Sequence, residues 1–108
     1  MKPWELAEVH SAKVFGGRRT PSSGNKWGFR GDVKTPIFLI EDKTTIHKSF
    51  SIPIKMWQKI RNEAVLEQRK PALQVTFSQG VSFVCIEESD FLEYIQMITK
   101  KEEDLLKL

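Results

Sequence analysis

Ile37-Phe38-Leu39-Ile40 runs without an intervening turn into Glu41-Asp42-Lys43. A helix needs an apolar pattern of about ten residues or more, so a four-residue run behind a turn signal reads as a buried strand. Thr35-Pro36 supplies that signal. The chain must therefore build a sheet in which one strand starts buried and ends in charge. Side chains on a strand alternate between its two faces. Over residues 37–44 and just beyond, Leu39, Glu41, Lys43 and Thr45 share one face, and Phe38, Ile40, Asp42 and Thr44 share the other. Glu41 and Lys43 then stand side by side where the strand emerges from the core.

The remaining segments supply layers around that strand. Pro3 to Phe15 reads as a helix, with Pro in its first turn and Gly16-Gly17 ending it. Residues 16–31 form a Gly-, Ser- and Pro-rich loop, and residues 32–35 a short strand before the one at 37–44. A second helix spans Pro53 to Arg69, with Ile54, Trp57, Ile60, Ala64 and Val65 as its apolar stripe. Residues 72–78 and 81–87 are strands joined at Gln79-Gly80. Ser89 is placed to cap a last helix whose Phe91, Leu92, Ile95 and Ile98 turn inward, and residues 100–108 form a frayed or partner-bound tail. The expected fold is α/β, in the order α-β-β-α-β-β-α, with helices flanking a central mixed sheet.

At 108 residues the chain suits one domain, residues 1–108. No apolar run approaches the ~20 residues of a membrane span, and the N-terminal residues lack the apolar core of a signal peptide. Cys85 is the lone cysteine, so no internal disulfide forms. These features point to a reduced, cytoplasmic setting, a virus-infected cell included. The net charge is only +3 but unevenly spread. Between Val9 and Ile40 the bases Lys13, Arg18, Arg19, Lys26, Arg30 and Lys34 face a single acid, Asp32, whereas acids dominate after Ile86. The basic first half suggests an anionic partner.

If the strands at 32–35 and 37–44 form a hairpin turning near Pro36, the Asp32 carboxylate approaches that of Glu41. Two such groups repel unless a cation sits between them. Magnesium meets that need, since it binds through one or two carboxylates and keeps waters and substrate phosphate as its other ligands. The neighbouring Lys43 can orient a water or offset charge on phosphate. Glu8 falls in helical step with Trp4, Ser11, Ala12 and Phe15, where a carboxylate needs a partner, and Glu5 is its rival for the same role. The plain alternative is a charged hairpin end with a surface Glu41–Lys43 pair contributing under ~1 kcal/mol. His10 and His47 lack zinc-site spacing.

The loop "GGRRTPSSGN" sets Arg18 and Arg19 beside Ser22, Ser23 and glycines. Arginine grips phosphate in bidentate fashion, and hydroxyl and backbone N–H groups add contacts that position a duplex without reading its sequence. Trp27 and Phe29 suit anchoring of the loop to the core, with stacking on a distorted base as the alternative. It is not a P-loop, because no Gly-Lys-Ser/Thr follows at the required spacing.

Taken in order, the helix with Glu8, "GGRRTPSSGN", Gly31-Asp32 and "IEDKTT" at Ile40–Thr45 resemble the PD-(D/E)xK nuclease superfamily. More closely they resemble its small archaeal and phage Holliday-junction resolvases. The resemblance covers roughly Pro3 to Glu87 and departs at Gly31, where the superfamily motif has Pro. It implies a restriction-endonuclease-like core and a magnesium ion, or manganese in its place, held by Asp32, Glu41 and the backbone carbonyl of Asp42, with Glu8 completing the acidic cluster. Glu8, Asp32, Glu41 and Lys43 would be catalytic, with Lys43 assisting the attacking water. Arg18, Arg19, Ser22, Ser23, Asn25, Lys26, Arg30, Lys34, Thr44 and Thr45 would contact DNA. The implied activity is structure-selective cleavage of branched DNA by a homodimer, using a metal-activated water. A nickase or duplex endonuclease on the same fold is an alternative, and so is a non-catalytic nucleic-acid-binding module using the basic loop alone.

Overall fold

The computed structural model describes residues 3–19 and 32–107. Its elements are α1 (Pro3–Phe15), β1 (Arg18–Arg19), β2 (Val33–Lys34), β3 (Phe38–Thr45), α2 (Ile54–Leu66), β4 (Lys70–Phe77), β5 (Ser82–Cys85) and α3 (Glu88–Leu106). One five-stranded sheet runs in the order β1-β2-β3-β4-β5. Only β3 and β4 pair in parallel; the other junctions are antiparallel. The architecture is α/β with an open mixed sheet.

The expected order lacks one strand, because Arg18-Arg19 is an edge strand and not part of a loop. It pairs Arg18 with Lys34 and Arg19 with Val33. Two residues carry no readable periodicity, and the device that admits them is Gly17. A Cβ there would lie 2.8 Å from both the Lys34 carbonyl oxygen and Val33 Cγ1. Gly16 takes φ +66 and the Gly17 N–H donates to the Ala12 carbonyl at 2.9 Å, closing α1 in a Schellman-type turn.

The turn between β2 and β3 is built by Thr35. Its hydroxyl oxygen accepts the Phe38 N–H at 2.7 Å, and its own N–H donates to the Phe38 carbonyl at 2.8 Å. Arg69, just past α2, donates from Nε to the Thr35 carbonyl at 2.6 Å. These contacts fix a register in which Val33 faces Ile40 and Lys34 faces Leu39.

A parallel strand pair requires a crossover, and α2 provides it. The helix begins after Pro53, whose carbonyl accepts the N–H groups of Met56 and Trp57. It ends at Leu66, short of Arg69, because Gln68 turns to φ 56. Ile60 and Ala64 are buried, whereas Ile54 and Val65 of the expected stripe are exposed. The inward face is rotated toward Met56, Trp57 and Ile60, which pack with Leu73, Val75 and Phe77. On the opposite sheet face Ala12 and Phe15 of α1 cover Val33, Ile40 and Ala72. β4 starts at Lys70, earlier than expected, and includes Pro71. The Lys70 N–H pairs with the Ile37 carbonyl, so the Pro71 nitrogen points to the other edge. There β5 has already ended, since its last residue, Cys85, sits opposite Leu73, and the missing N–H costs no ladder bond.

The last helix departs furthest from expectation. Glu87, not Ser89, occupies its N-cap, with no side-chain capping bond. Glu87 instead receives hydrogen bonds from Trp57 and Arg61. Residues 100–106 continue the helix. Phe91, Leu92, Ile95 and Ile98 do not turn inward: α3 has no buried residue. It meets the sheet on another side, through Lys70 with Asp90 at 3.0 Å and with Glu93, and through Tyr94 stacked on Phe38. No described helix is long and apolar enough to cross a membrane.

Candidate functional site

The register that Thr35 sets also places the acids. The ladder ends with Val33 opposite Ile40, and Asp32, just before β2, lies beside the same Ile40, where the Glu41 carboxylate acts on it. The Asp32 N–H donates to the Ile40 carbonyl at 2.9 Å, and Asp32 Oδ2 accepts the Asp42 N–H at 2.6 Å. In a strand the N–H and C=O of one residue point to the same side. The Asp42 carbonyl is therefore directed to the same open edge as Asp32.

Asp32 is 5 % exposed and Glu8 2 %. Glu8 stands one turn before Ala12 and two before Phe15, the α1 residues packed on the sheet, so it and not Glu5 is the buried acid of α1. The carboxyl groups of Glu8 and Asp32 lie within hydrogen-bonding reach of each other. Burial, then the Glu41 carboxylate, push the Asp32 carboxyl from 3.8 up to about 8; the Asp42 N–H opposes them, while Glu8 adds to the rise. Glu41 is also raised, by burial first, against the pull of Lys43. Lys43 Nζ stands 3.5 Å from Glu41 Oε1. Asp32 thus interacts with both Glu8 of α1 and Glu41 of β3, and Lys43 pairs with Glu41.

Two further charges join Glu41 from α2. A cleft of about 240 Å³ between β3 and α2 is lined by Glu41, Lys43, Met56, Lys59, Ile60 and Glu63. Glu63 raises the Glu41 carboxyl and Lys59 lowers it. Sequence reasoning misses both. The signal lay in the spacing of Met56, Lys59, Ile60 and Glu63, which share a helix face displaced from the stripe read as apolar.

The donor set suits magnesium. It consists of oxygen atoms alone, and Asp32 and Glu41 carry a mutual repulsion that a divalent cation removes. Among the described residues no three His, Cys, Asp or Glu side chains form a ready ligand cage. Any ion held here would rely on the two carboxylates, the Asp42 carbonyl and water.

The expected DNA contacts divide. Arg18 is exposed on the edge strand β1, which runs toward the Asp32 end of β2. Lys34 pairs with Glu67 at 2.9 Å, on the face that bears α2. Thr44 is exposed, and the Thr45 hydroxyl oxygen accepts the His47 N–H at 3.0 Å. Ser22, Ser23, Asn25, Lys26 and Arg30 lie outside the described residues.

Comparisons with the profiles of known protein families, with curated proteins and with solved structures find no match.

Proposed function

We propose that the chain is a magnesium-dependent endonuclease of the PD-(D/E)xK type, with a restriction-endonuclease-like core, that hydrolyses phosphodiester bonds in branched DNA. The observation that carries this reading is the interaction of Asp32 and Glu41, each raised from its ordinary value, with Lys43 beside Glu41. A fold gains nothing from setting a half-buried carboxylate against a buried one, so the pair favours a cation-dependent role.

In this reading Asp32, Glu41 and the Asp42 carbonyl would hold the ion. Magnesium would supply Lewis acidity at the phosphoryl oxygen and a more acidic bound water. Glu8 fixes the Asp32 carboxyl through their shared hydrogen bond. Lys43 orients the attacking water and offsets charge on the phosphate. The strand that bears Arg18 and Arg19 leads toward the Asp32 end of β2, which suits a grip on flanking phosphates.

The test compares a four-way junction, a linear duplex of the same sequence and supercoiled plasmid, each in Mg²⁺, Mn²⁺ or EDTA. Metal-dependent cleavage of the junction is expected, with Asp32→Asn and Glu41→Gln inactive yet still binding. Full activity of both variants in Mg²⁺ would refute the assignment. Salt-sensitive binding without any metal-dependent product would leave a non-catalytic binder, and equal cutting of linear duplex would remove the preference for branches.

A further inference from the structure

Thr45 ends β3 directly opposite Phe77, the last residue of β4. Both lie two residues beyond the pair Lys43 and Val75. Phe77 packs against Ile60, Leu73 and Val75, so it shares the sheet face that bears Glu41, Lys43 and α2. It stands ~7 Å further along the strands than Lys43 and one strand over. A hollow of about 380 Å³ opens there, lined by Lys48, Phe77, Gln79 and Val81. That is larger than the cleft beside Glu41 and within the range of ligand sites. Val81 is 58 % exposed. Phe83, 43 % exposed, backs the Phe77 ring with centroids 5.7 Å apart and planes at 32°.

The surroundings of the hollow are basic. Residues 43–62 hold Lys43, Lys48, Lys55, Lys59 and Arg61 and no acid, and residues 71–86 hold no charged side chain of either sign. Arg61 is engaged by Glu87, so the cation of the hollow itself is Lys48. An aromatic floor inside a basic surface fits a ligand that is both planar and anionic. Duplex DNA meets only the second condition, since its bases are stacked on one another and offer edges in the grooves. An unpaired nucleotide offers a free ring face, donors and acceptors along the base edge, and a phosphate.

We propose that the hollow receives an unpaired base of the DNA, so that the preferred substrate carries a single-stranded nucleotide beside the cut and not paired arms alone. The base stacks on Phe77. The Gln79 amide, which both donates and accepts, serves its edge, and the Lys48 ammonium faces its phosphate. Stacking tolerates every base, so the hollow selects strand state and not sequence. The site rests on the reading above in taking DNA as the partner, but it needs no cleavage.

Binding of the full chain is measured in EDTA by fluorescence anisotropy on three labelled probes. One is a blunt duplex, one the same duplex with short thymidine overhangs, 5′ or 3′, and one the duplex with abasic overhangs of equal length. Thymidine and abasic overhangs carry the same phosphates and differ only in the base. The thymidine probe should bind at least ~5-fold more tightly than the abasic one, the least that one stacked base provides. Phe77→Leu keeps an apolar side chain for the core and should remove most of that difference, leaving the blunt duplex unaffected, whereas Phe77→Tyr should retain it. Val81→Glu, at an exposed position, should remove it without touching the core. Equal binding of the two overhangs overturns the proposal, and is the result expected if the hollow takes an apolar peptide instead. A difference that survives both Phe77→Leu and Val81→Glu overturns it as well. A thymidine preference without any metal-dependent cleavage would refute the nuclease and keep the base site; junction cleavage in Mg²⁺ without the preference would do the reverse.

Discussion

Replacing Asp32 by Asn should make the metal-free protein more stable. Asn keeps the shape and an oxygen acceptor for the Asp42 N–H, and its NH₂ can donate to Glu8. What it removes is a charge that burial and Glu41 oppose. The Asp32 carboxyl moves from 3.8 to about 8 on folding. Each unit corresponds to ~1.4 kcal/mol, so the full gap is roughly 6 kcal/mol, with ~4 kcal/mol of it in force at pH 7. Local relaxation and water entry shrink such costs, leaving an expected gain of about 2–4 kcal/mol, or about 10 °C or more in Tm. A raised carboxyl means that the folded state holds its proton where the unfolded chain has lost it. Wild-type stability therefore falls as pH rises from about 4 to about 8, and levels off above. The difference between the Asp32→Asn variant and wild type, measured by urea titration in EDTA, should be small near pH 4 and widen up to pH 8. Taking the difference cancels the Glu41 titration, which has the same sign, to the extent that the two sites are independent. Saturating Mg²⁺ should raise the wild type, leave the Asp32→Asn variant nearly unmoved, and narrow the gap between them. A variant less stable than wild type at pH 8, or a pH-independent difference, would show that Asp32 is not held against its charge.

Other expectations follow from the same contacts. Lys43→Ala should lower cleavage at least ~100-fold while changing binding in EDTA little. Lys59→Ala should weaken DNA binding and reduce the slope of log K against log salt by about one, as a lost phosphate contact does; an unchanged slope would remove Lys59 from the interface. Gly17→Ala, whose Cβ would meet β2 at 2.8 Å, should cost about 1–3 kcal/mol in urea unfolding, and a neutral result would mean that β1 can move away from β2.

The central sheet is legible along the chain because its signals are local and redundant. The run Ile37–Ile40, the turn at Thr35-Pro36 and the helix between Pro53 and Arg69 each carry periodicity or a breaker. The edge strand at Arg18-Arg19 carries neither. It exists because Gly17 lets α1 turn tightly onto β2, and a double glycine reads equally well as a loop. The cap of α3 is hidden for a different reason: Ser89 has the right chemistry, but Glu87 is drawn to that position by Trp57 and Arg61, which are distant in sequence.

The acids show where reading along the chain reaches its limit. Strand alternation predicts that Glu41 and Lys43 share a face, and helical step favours Glu8 over Glu5. Neither predicts that Asp32 interacts with both Glu8 and Glu41. That depends on register, because a slip of one residue between β2 and β3 would send Asp32 to the opposite face. Register here is held by the Thr35 hydroxyl and by Arg69, a residue 34 positions away that bonds the Thr35 carbonyl. Two groups with no charge chemistry in the site thus decide whether the site exists. The inward face expected of α3 fails for the converse reason. The row of Phe91, Ile95, Ile98 and Leu105 has the pattern of a buried face, but the described part of a single chain supplies no surface to cover it. An apolar stripe fixes that something must pack there, while its partner can lie outside the fold that the stripe belongs to.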